Sequence, residues 1–92
     1  MVESLKPLVL ITGVNGYLGS HVCMEFLKSG NFRVRGSVRD VPSKIELLQK
    51  TYGELYSQLE LVEMDLLKED QIDKAVEGCQ YVVHIASPVP EK

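Results

Sequence analysis

The sequence predicts an α/β fold: a doubly wound parallel sheet built β-α-β-α-β-α-β, with strands in the order 3-2-1-4 and helices on both faces. Three observations carry that expectation. Short segments rich in Val, Leu and Ile alternate with segments of helical periodicity from residue 8 onward. The first of them, Leu8-Val9-Leu10-Ile11-Thr12, is unbroken, as a strand buried on both faces should be. Three glycines at three-residue intervals, Gly13, Gly16 and Gly19, then separate this strand from the first helical segment.

Each element has its own local reason. Met1 to Lys6 reads as a loose polar lead-in, and Pro7 sits where a strand can begin. The first helix runs from Tyr17 to Ser29, with Leu18, Val22, Phe26 and Leu27 on one side and Gly30-Asn31 as its stop. The second strand is Arg33 to Val38, with Val34, Gly36 and Val38 on one face and Arg33, Arg35 and Ser37 on the other. Arg39 to Pro42 form its exit loop. Ser43 is the expected N-cap of a second helix carrying Ile45, Leu47, Leu48 and Tyr52, which Gly53 weakens. A third strand spans Leu59 to Glu63. A short helix from about Glu69 to Glu77 follows, with Ile72 and Val76 inward and Gly78 as its stop. The fourth strand is expected from Gln80 to Ala86, and Pro88 and Pro90 end regular structure. Strands alternating with helices in this way call for right-handed crossovers.

Composition narrows the function classes. Ninety-two residues make one small domain, and 45% hydrophobic with 25% charged content is ordinary for a globular chain. A net charge of −3 gives no electrostatic reason to expect a nucleic-acid or polybasic membrane contact. The longest apolar run near the N-terminus, Leu8 to Ile11, is too short for a membrane span or a secretory leader, so a cytoplasmic location is expected. Cys23 and Cys79 lack metal-type spacing and read as two reduced, mostly buried thiols.

The glycines carry the chemistry. A strand that turns through glycines into a helix N-terminus is suited to hold a pyrophosphate, because free backbone amides and the helix dipole point at it. Gly13 permits the tight turn, Gly16 lets backbone approach the ligand, and Gly19 lets the helix pack on the strand. Amides near Gly16, Tyr17 and Leu18 would face the phosphates. A P-loop is excluded, since Ser20 and His21 follow Gly19 where lysine and a hydroxyl residue are required.

The second strand's exit discriminates between dinucleotides. An acidic residue there typically accepts from the ribose diol of NAD(H). Here Arg39 stands first and Asp40 second, with Arg35 and Lys44 nearby. An arginine at that tip balances a 2′-phosphate, which favours NADP(H) over NAD(H); the competing reading is a solvated Arg39-Asp40 loop pair. Asp65 and Leu66 leave the third strand, where the carboxylate can accept from the adenine amino group and the leucine can cover the ring. Capping of the next turn by Asp65 fits equally well. His21 reads as a surface or packing residue and His84 as a hydrogen-bonded core residue, and neither has an identifiable acid–base partner. No catalytic residue and no metal ligand is assigned.

Thr12 to Gly19, Val34 to Asp40, Asp65-Leu66, Gly78-Cys79 and Val83 to Pro88 together resemble the N-terminal portion of extended short-chain dehydrogenase/reductases of the dihydroflavonol-4-reductase and cinnamoyl-CoA-reductase type. The resemblance implies a Rossmann-type domain over residues 1–92 and an oxidoreductase that reduces a carbonyl, or oxidises an alcohol, by hydride transfer. It implies that Gly13, Gly16, Tyr17 and Leu18 meet the pyrophosphate, Arg39 and Lys44 the 2′-phosphate, and Asp65 and Leu66 the adenine. Ile85, Ala86 and Ser87 would lie towards the nicotinamide. The family's Tyr-x-x-x-Lys pair is missing: His21, Tyr56, Glu60 and Ile85 stand four places after the four tyrosines. The expectation is therefore a cofactor-binding half without its catalytic and substrate part, inactive alone. Its fourth strand is left as an apolar edge, open to self-association or to a partner supplying further strands. The alternative is a non-catalytic nucleotide-binding or regulatory module, or a truncated product. An NAD-linked sugar epimerase is disfavoured by Arg39.

Overall fold

The computed structural model describes residues 6–85. It contains β1 (Leu8–Thr12), α1 (Tyr17–Ser29), β2 (Arg33–Val38), α2 (Val41–Tyr52), a 3-10 helix (Gly53–Gln58), β3 (Leu59–Glu63), α3 (Glu69–Val76) and β4 (Tyr81–Val83). The four strands form one sheet in the order β3-β2-β1-β4, as expected. Every pairing is parallel, and β1 and β2 run level from Leu8↔Arg33 to Thr12↔Ser37. Their carboxyl ends therefore open onto the same edge.

All five residues of β1 are buried, and alternation along the strand divides them between two cores. Val9 and Ile11 meet Cys23 and Leu27 of α1 and Leu48 and Tyr52 of α2 on one face. Leu10 meets Met64 and Ala75 on the other, where α3 lies. On that second face Arg35 reaches the carboxyl end of α3. Its guanidinium donates to the carbonyls of Ala75 and Glu77, both at 2.8 Å, and its Nε lies 3.3 Å from a Glu60 carboxylate oxygen. A cation at a helix C-terminus is stabilised by the orphan carbonyls and the dipole there. Arg35 is thus structural and does not join Arg39 at the exit of β2.

The helices differ in detail from expectation. The inward stripe of α1 is Gly19, Cys23 and Leu27, while Leu18 is 55% exposed. Its Gly30 stop takes the left-handed conformation, with φ 72°. The second helix starts at Val41 after an N-cap at Asp40, so Val41 and Pro42 are helical and only Arg39 and Asp40 form the exit. Proline fits a first turn because its missing N–H would have no helical partner. Ser43 consequently lies inside the helix, and its hydroxyl donates to the Asp40 carbonyl at 3.1 Å. The Val41 amide is met from outside by a Glu63 carboxylate oxygen on β3 at 3.4 Å, a long-range cap no local motif announces. Leu48 and Tyr52 are buried, but Ile45 and Leu47 are exposed.

The fourth strand is shorter than expected. Its last ladder pair is Ile11↔Val83, because the chain leaves β1 at Gly13 and offers no further backbone partner. The Thr12 hydroxyl replaces the ladder, accepting from the Ile85 amide at 2.8 Å and bonding His84 Nδ1 at 3.2 Å. His84 is therefore hydrogen-bonded but exposed, not a core residue. Strand β4 is also the exposed edge, with Tyr81 57% and Val82 51% accessible. Residues 1–5, the expected end of that strand at Ala86, and Pro88 and Pro90 lie outside the described residues. No described helix is long and apolar enough to cross a membrane.

Both cysteines are free thiols; Cys23 is buried and Cys79 only partly so. Burial pushes the Cys23 thiol from 9.0 up to about 11, opposed in part by the neighbouring Tyr52 hydroxyl. Burial, and then the neighbouring Cys23, push the Tyr52 phenol upward as well. In the unfolded chain both groups lose protons at lower pH than in the fold. The neutral Cys23 thiol therefore supports the fold fully below 9.0, and that support is lost as pH rises through 9.0 to about 11. The contribution of the Tyr52 phenol begins to fall only from its ordinary 10.0 upward. Urea midpoints across this interval should fall with pH, and Cys23→Ala should make the fall shallower. An unchanged slope in Cys23→Ala would show that the thiol does not contribute.

Candidate functional site

The glycine turn sits at the carboxyl end of β1 and is held by β2. Gly13 has φ 67°, the left-handed region that side chains disfavour. Its amide donates to the Ser37 carbonyl at 3.0 Å, and the Val14 amide reaches the same oxygen at 3.2 Å. The Val14 side chain is wholly buried over Gly36, where an added Cβ would stand 2.8 Å from both Val14 methyls. The Gly16 amide closes the turn onto the Gly13 carbonyl at 3.1 Å. A Cβ at Gly19 would collide with that carbonyl, so the third glycine is required for α1 to cross the turn.

Gly16 differs from its neighbours. Its backbone is extended, with φ −87° and ψ 170°, and a Cβ there would meet only the Gly13 oxygen at an ordinary 3.6 Å. Nothing within the fold demands glycine at this position. Gly16 is the N-cap of α1, without a side-chain cap and without an acidic residue in the first turn. The first helical bond runs from the Ser20 amide to the Gly16 carbonyl at 2.9 Å, so the amides of Tyr17, Leu18 and Gly19 precede the ladder. Such an end attracts an anion.

This helix end opens into a cleft of about 1160 Å³. One wall holds Gly13, Gly16, Tyr17, Leu18 and Gly19. The exit of β2 contributes Arg39, Asp40 and Lys44, with Lys44 one turn into α2. The exit of β3 contributes Asp65, Leu66 and Leu67, and that of β4 His84 and Ile85. Every expected cofactor residue within the described chain thus lines the same cleft, although the residues span 73 positions. Ala86 and Ser87 lie outside the described residues.

Several lining residues were not legible beforehand. Thr12, the last residue of β1, and Ser37, paired with it near the end of β2, line the cleft level with each other, while Asn15 stands between the first two glycines. Level register carries the first two there, and register is a property of the assembled sheet. Leu67 is 89% exposed at the mouth, beside Leu66. Asp65 does cap its own turn, since Oδ1 accepts from the Leu67 amide at 3.0 Å. Its backbone amide is bonded by Gln71 Oε1 at 2.8 Å, which fixes the turn further. The capping role uses one carboxylate oxygen and is compatible with an adenine contact through the other. Tyr17 is 83% exposed and stands edge-on to the His21 ring at 4.6 Å. Among the described residues no group of three His, Cys, Asp or Glu side chains could hold a metal ion.

A parallel sheet with a glycine turn at its central strand, an uncapped helix end and a cleft along the strand ends is a Rossmann-type, dinucleotide-binding α/β fold. The chain belongs to the NAD dependent epimerase/dehydratase family, whose sequence profile matches residues 9–92. It is 38% identical over 84 residues to fatty acid hydroxylase uhd1 of Mycosarcoma maydis, covering 91% of this chain and 27% of that one. It is 37% identical over 92 residues to dihydroflavonol 4-reductase of Callistephus chinensis, covering 97% and 24%. Among solved structures, vestitone reductase from alfalfa (Medicago sativa) superposes with a TM-score of 0.67 at 30% identity, over 91% of this chain and 26% of that one. The chain therefore spans about a quarter of the length of these relatives.

Gly16 and Gly19 should separate on mutation. Gly19→Ala forces the helix off the turn and should cost about 1–3 kcal/mol of stability, as overpacking does. Gly16→Ala meets only an ordinary contact and should cost under about 1 kcal/mol, the scale of a changed N-cap. Urea unfolding of both variants checks the order, and equal losses would contradict it.

Proposed function

We propose that this chain is the NADP(H)-binding portion of an oxidoreductase that reduces a carbonyl, or oxidises an alcohol, by hydride transfer. The observation that carries the reading is the meeting, in one cleft, of the uncapped end of α1 with Arg39 and Lys44. A glycine at position 16 that the fold itself does not need supports it, since a phosphate against that backbone would need the missing side chain. The amides at the start of α1 hold the pyrophosphate, Arg39 and Lys44 the 2′-phosphate, Asp65 and Leu66 the adenine. Ile85, followed by Ala86 and Ser87, borders the nicotinamide side. The bound cofactor supplies the hydride. Residues 6–85 orient it, and the general acid that gives the carbonyl oxygen its proton is expected outside these 92 residues. The reductase names among the relatives favour this reading over a purely regulatory nucleotide-binding module.

Arg39→Ala tests the cofactor preference. A charge-assisted phosphate contact contributes roughly 1.5–3 kcal/mol, one to two orders of magnitude in affinity. Fluorescence titration should show that loss for NADPH and little change for NADH. Equal losses would mean that Arg39 does not read the 2′-phosphate, and a loss confined to NADH would point to NAD(H).

We also propose that these 92 residues alone are inactive and self-associate through β4, an edge of the described sheet whose Tyr81 and Val82 expose apolar surface. Light scattering should show species larger than a monomer, and the same sample should lack NADPH-dependent carbonyl reduction. A stable monomer would refute the edge argument, and measurable turnover would refute the absence of the catalytic part.

A further inference from the structure

We infer that Tyr52, the last residue of α2, is a positioning residue for the pyrophosphate turn, aiming the Asn15 amide into the cleft. Its buried hydroxyl donates to the Val14 carbonyl at 2.8 Å, across 38 residues of sequence. Three features make this bond more than packing. The Val14 amide and side chain are already fixed, by the Ser37 carbonyl and by the space over Gly36, so the one freedom left to the turn at this residue is its outgoing peptide plane. In a trans peptide the carbonyl and the following N–H point in opposite directions. A Val14 carbonyl drawn inward to Tyr52 therefore turns the Asn15 N–H outward, and Asn15 lines the cleft beside the end of α1. Finally, a phenol holds a defined direction here because its ring is clamped in the core with Leu48 and Leu59, beside the Cys23 thiol.

The inference rests on the dinucleotide reading above. It adds a donor to the pyrophosphate cradle and names the distant residue that sets its direction. Loss of the hydroxyl frees the Val14–Asn15 peptide to rotate, and the ligand must then order it on binding.

The test is a comparison of two ligands on Tyr52→Phe, which keeps the ring and removes the hydroxyl. NADP⁺ carries the pyrophosphate, and adenosine 2′-monophosphate carries only the adenosine and 2′-phosphate. Calorimetric titration of the purified chain should show NADP⁺ weakened about three- to tenfold, the scale of one hydrogen bond, with the monophosphate unchanged. Cys23→Ala, which loosens the same pocket but keeps the Tyr52–Val14 bond, should bind NADP⁺ like the wild type. Unchanged NADP⁺ binding in a folded Tyr52→Phe overturns the role of Tyr52 while leaving the dinucleotide reading intact. Parallel losses for both ligands, or a Cys23→Ala loss equal to that of Tyr52→Phe, overturn it in favour of general packing. Should Tyr52→Phe not fold, the wild-type chain decides: NADP⁺ should slow exchange of the Asn15 amide, and an Asn15 amide indifferent to NADP⁺ overturns the inference. A wild-type chain that binds neither ligand removes the dinucleotide reading and this inference together.

Discussion

The crossing of α1 over the Gly13 carbonyl is the constraint on which the rest depends. The helix approaches that oxygen so closely that position 19 has no room for a side chain. That approach lets the Gly16 carbonyl start the helix at Ser20 and leaves three amides ahead of the ladder. It also holds Cys23 and Leu27 against Val9 and Ile11, so the same closeness that opens an anion-binding end also closes the larger core. Site and stability share one contact surface.

The turn beneath that crossing is braced by elements far from it in sequence. Ser37 of β2 receives the amides of Gly13 and Val14, Gly36 provides the recess for Val14, and Tyr52 binds the Val14 carbonyl. Val14, between the first two glycines, is thus held at its amide, its side chain and its carbonyl. The opposite face is fastened by a charge. Arg35 joins β2 to the end of α3, satisfying two orphan carbonyls at 2.8 Å. Because β2 takes part in both bracing sets, that strand helps fix the turn on one face and α3 on the other. This leaves the strand ends free to form the cleft.

Secondary structure here was readable from local pattern because local physics decides it. A run of β-branched and apolar residues ending at glycine makes β1, and Gly30 with a positive φ ends α1 as glycine does at a left-handed C-cap. Parallel order followed from the alternation of strands and helices, and the ten described cofactor candidates fell on one cleft because a parallel sheet places every strand exit at the same edge. The reading failed where a residue's environment came from another part of the chain. Leu18 has helical spacing with Val22, but the short approach of α1 to the turn moves the buried stripe to Gly19, Cys23 and Leu27. Ser43 is a good cap residue by type, yet Glu63 of β3 meets the start of that helix and Pro42 fits inside its first turn.

The sequence by itself determined the strand-helix alternation, the glycine turn and the set of residues offered to a dinucleotide, since these rest on period, propensity and conformational freedom within a few residues. Tertiary structure alone decided that Arg35 ties β2 to the end of α3. Arg35 and Arg39 are four places apart in one stretch, but Arg35 lies within β2 and packs onto the end of α3, whereas Arg39 follows the strand and lines the cleft. It also decided that β4 stops at Val83, because the Thr12 hydroxyl takes over where β1 turns away. Hydrogen-bond partners separated by 38 or 73 positions are selected by the packed sheet, and no local spacing encodes them.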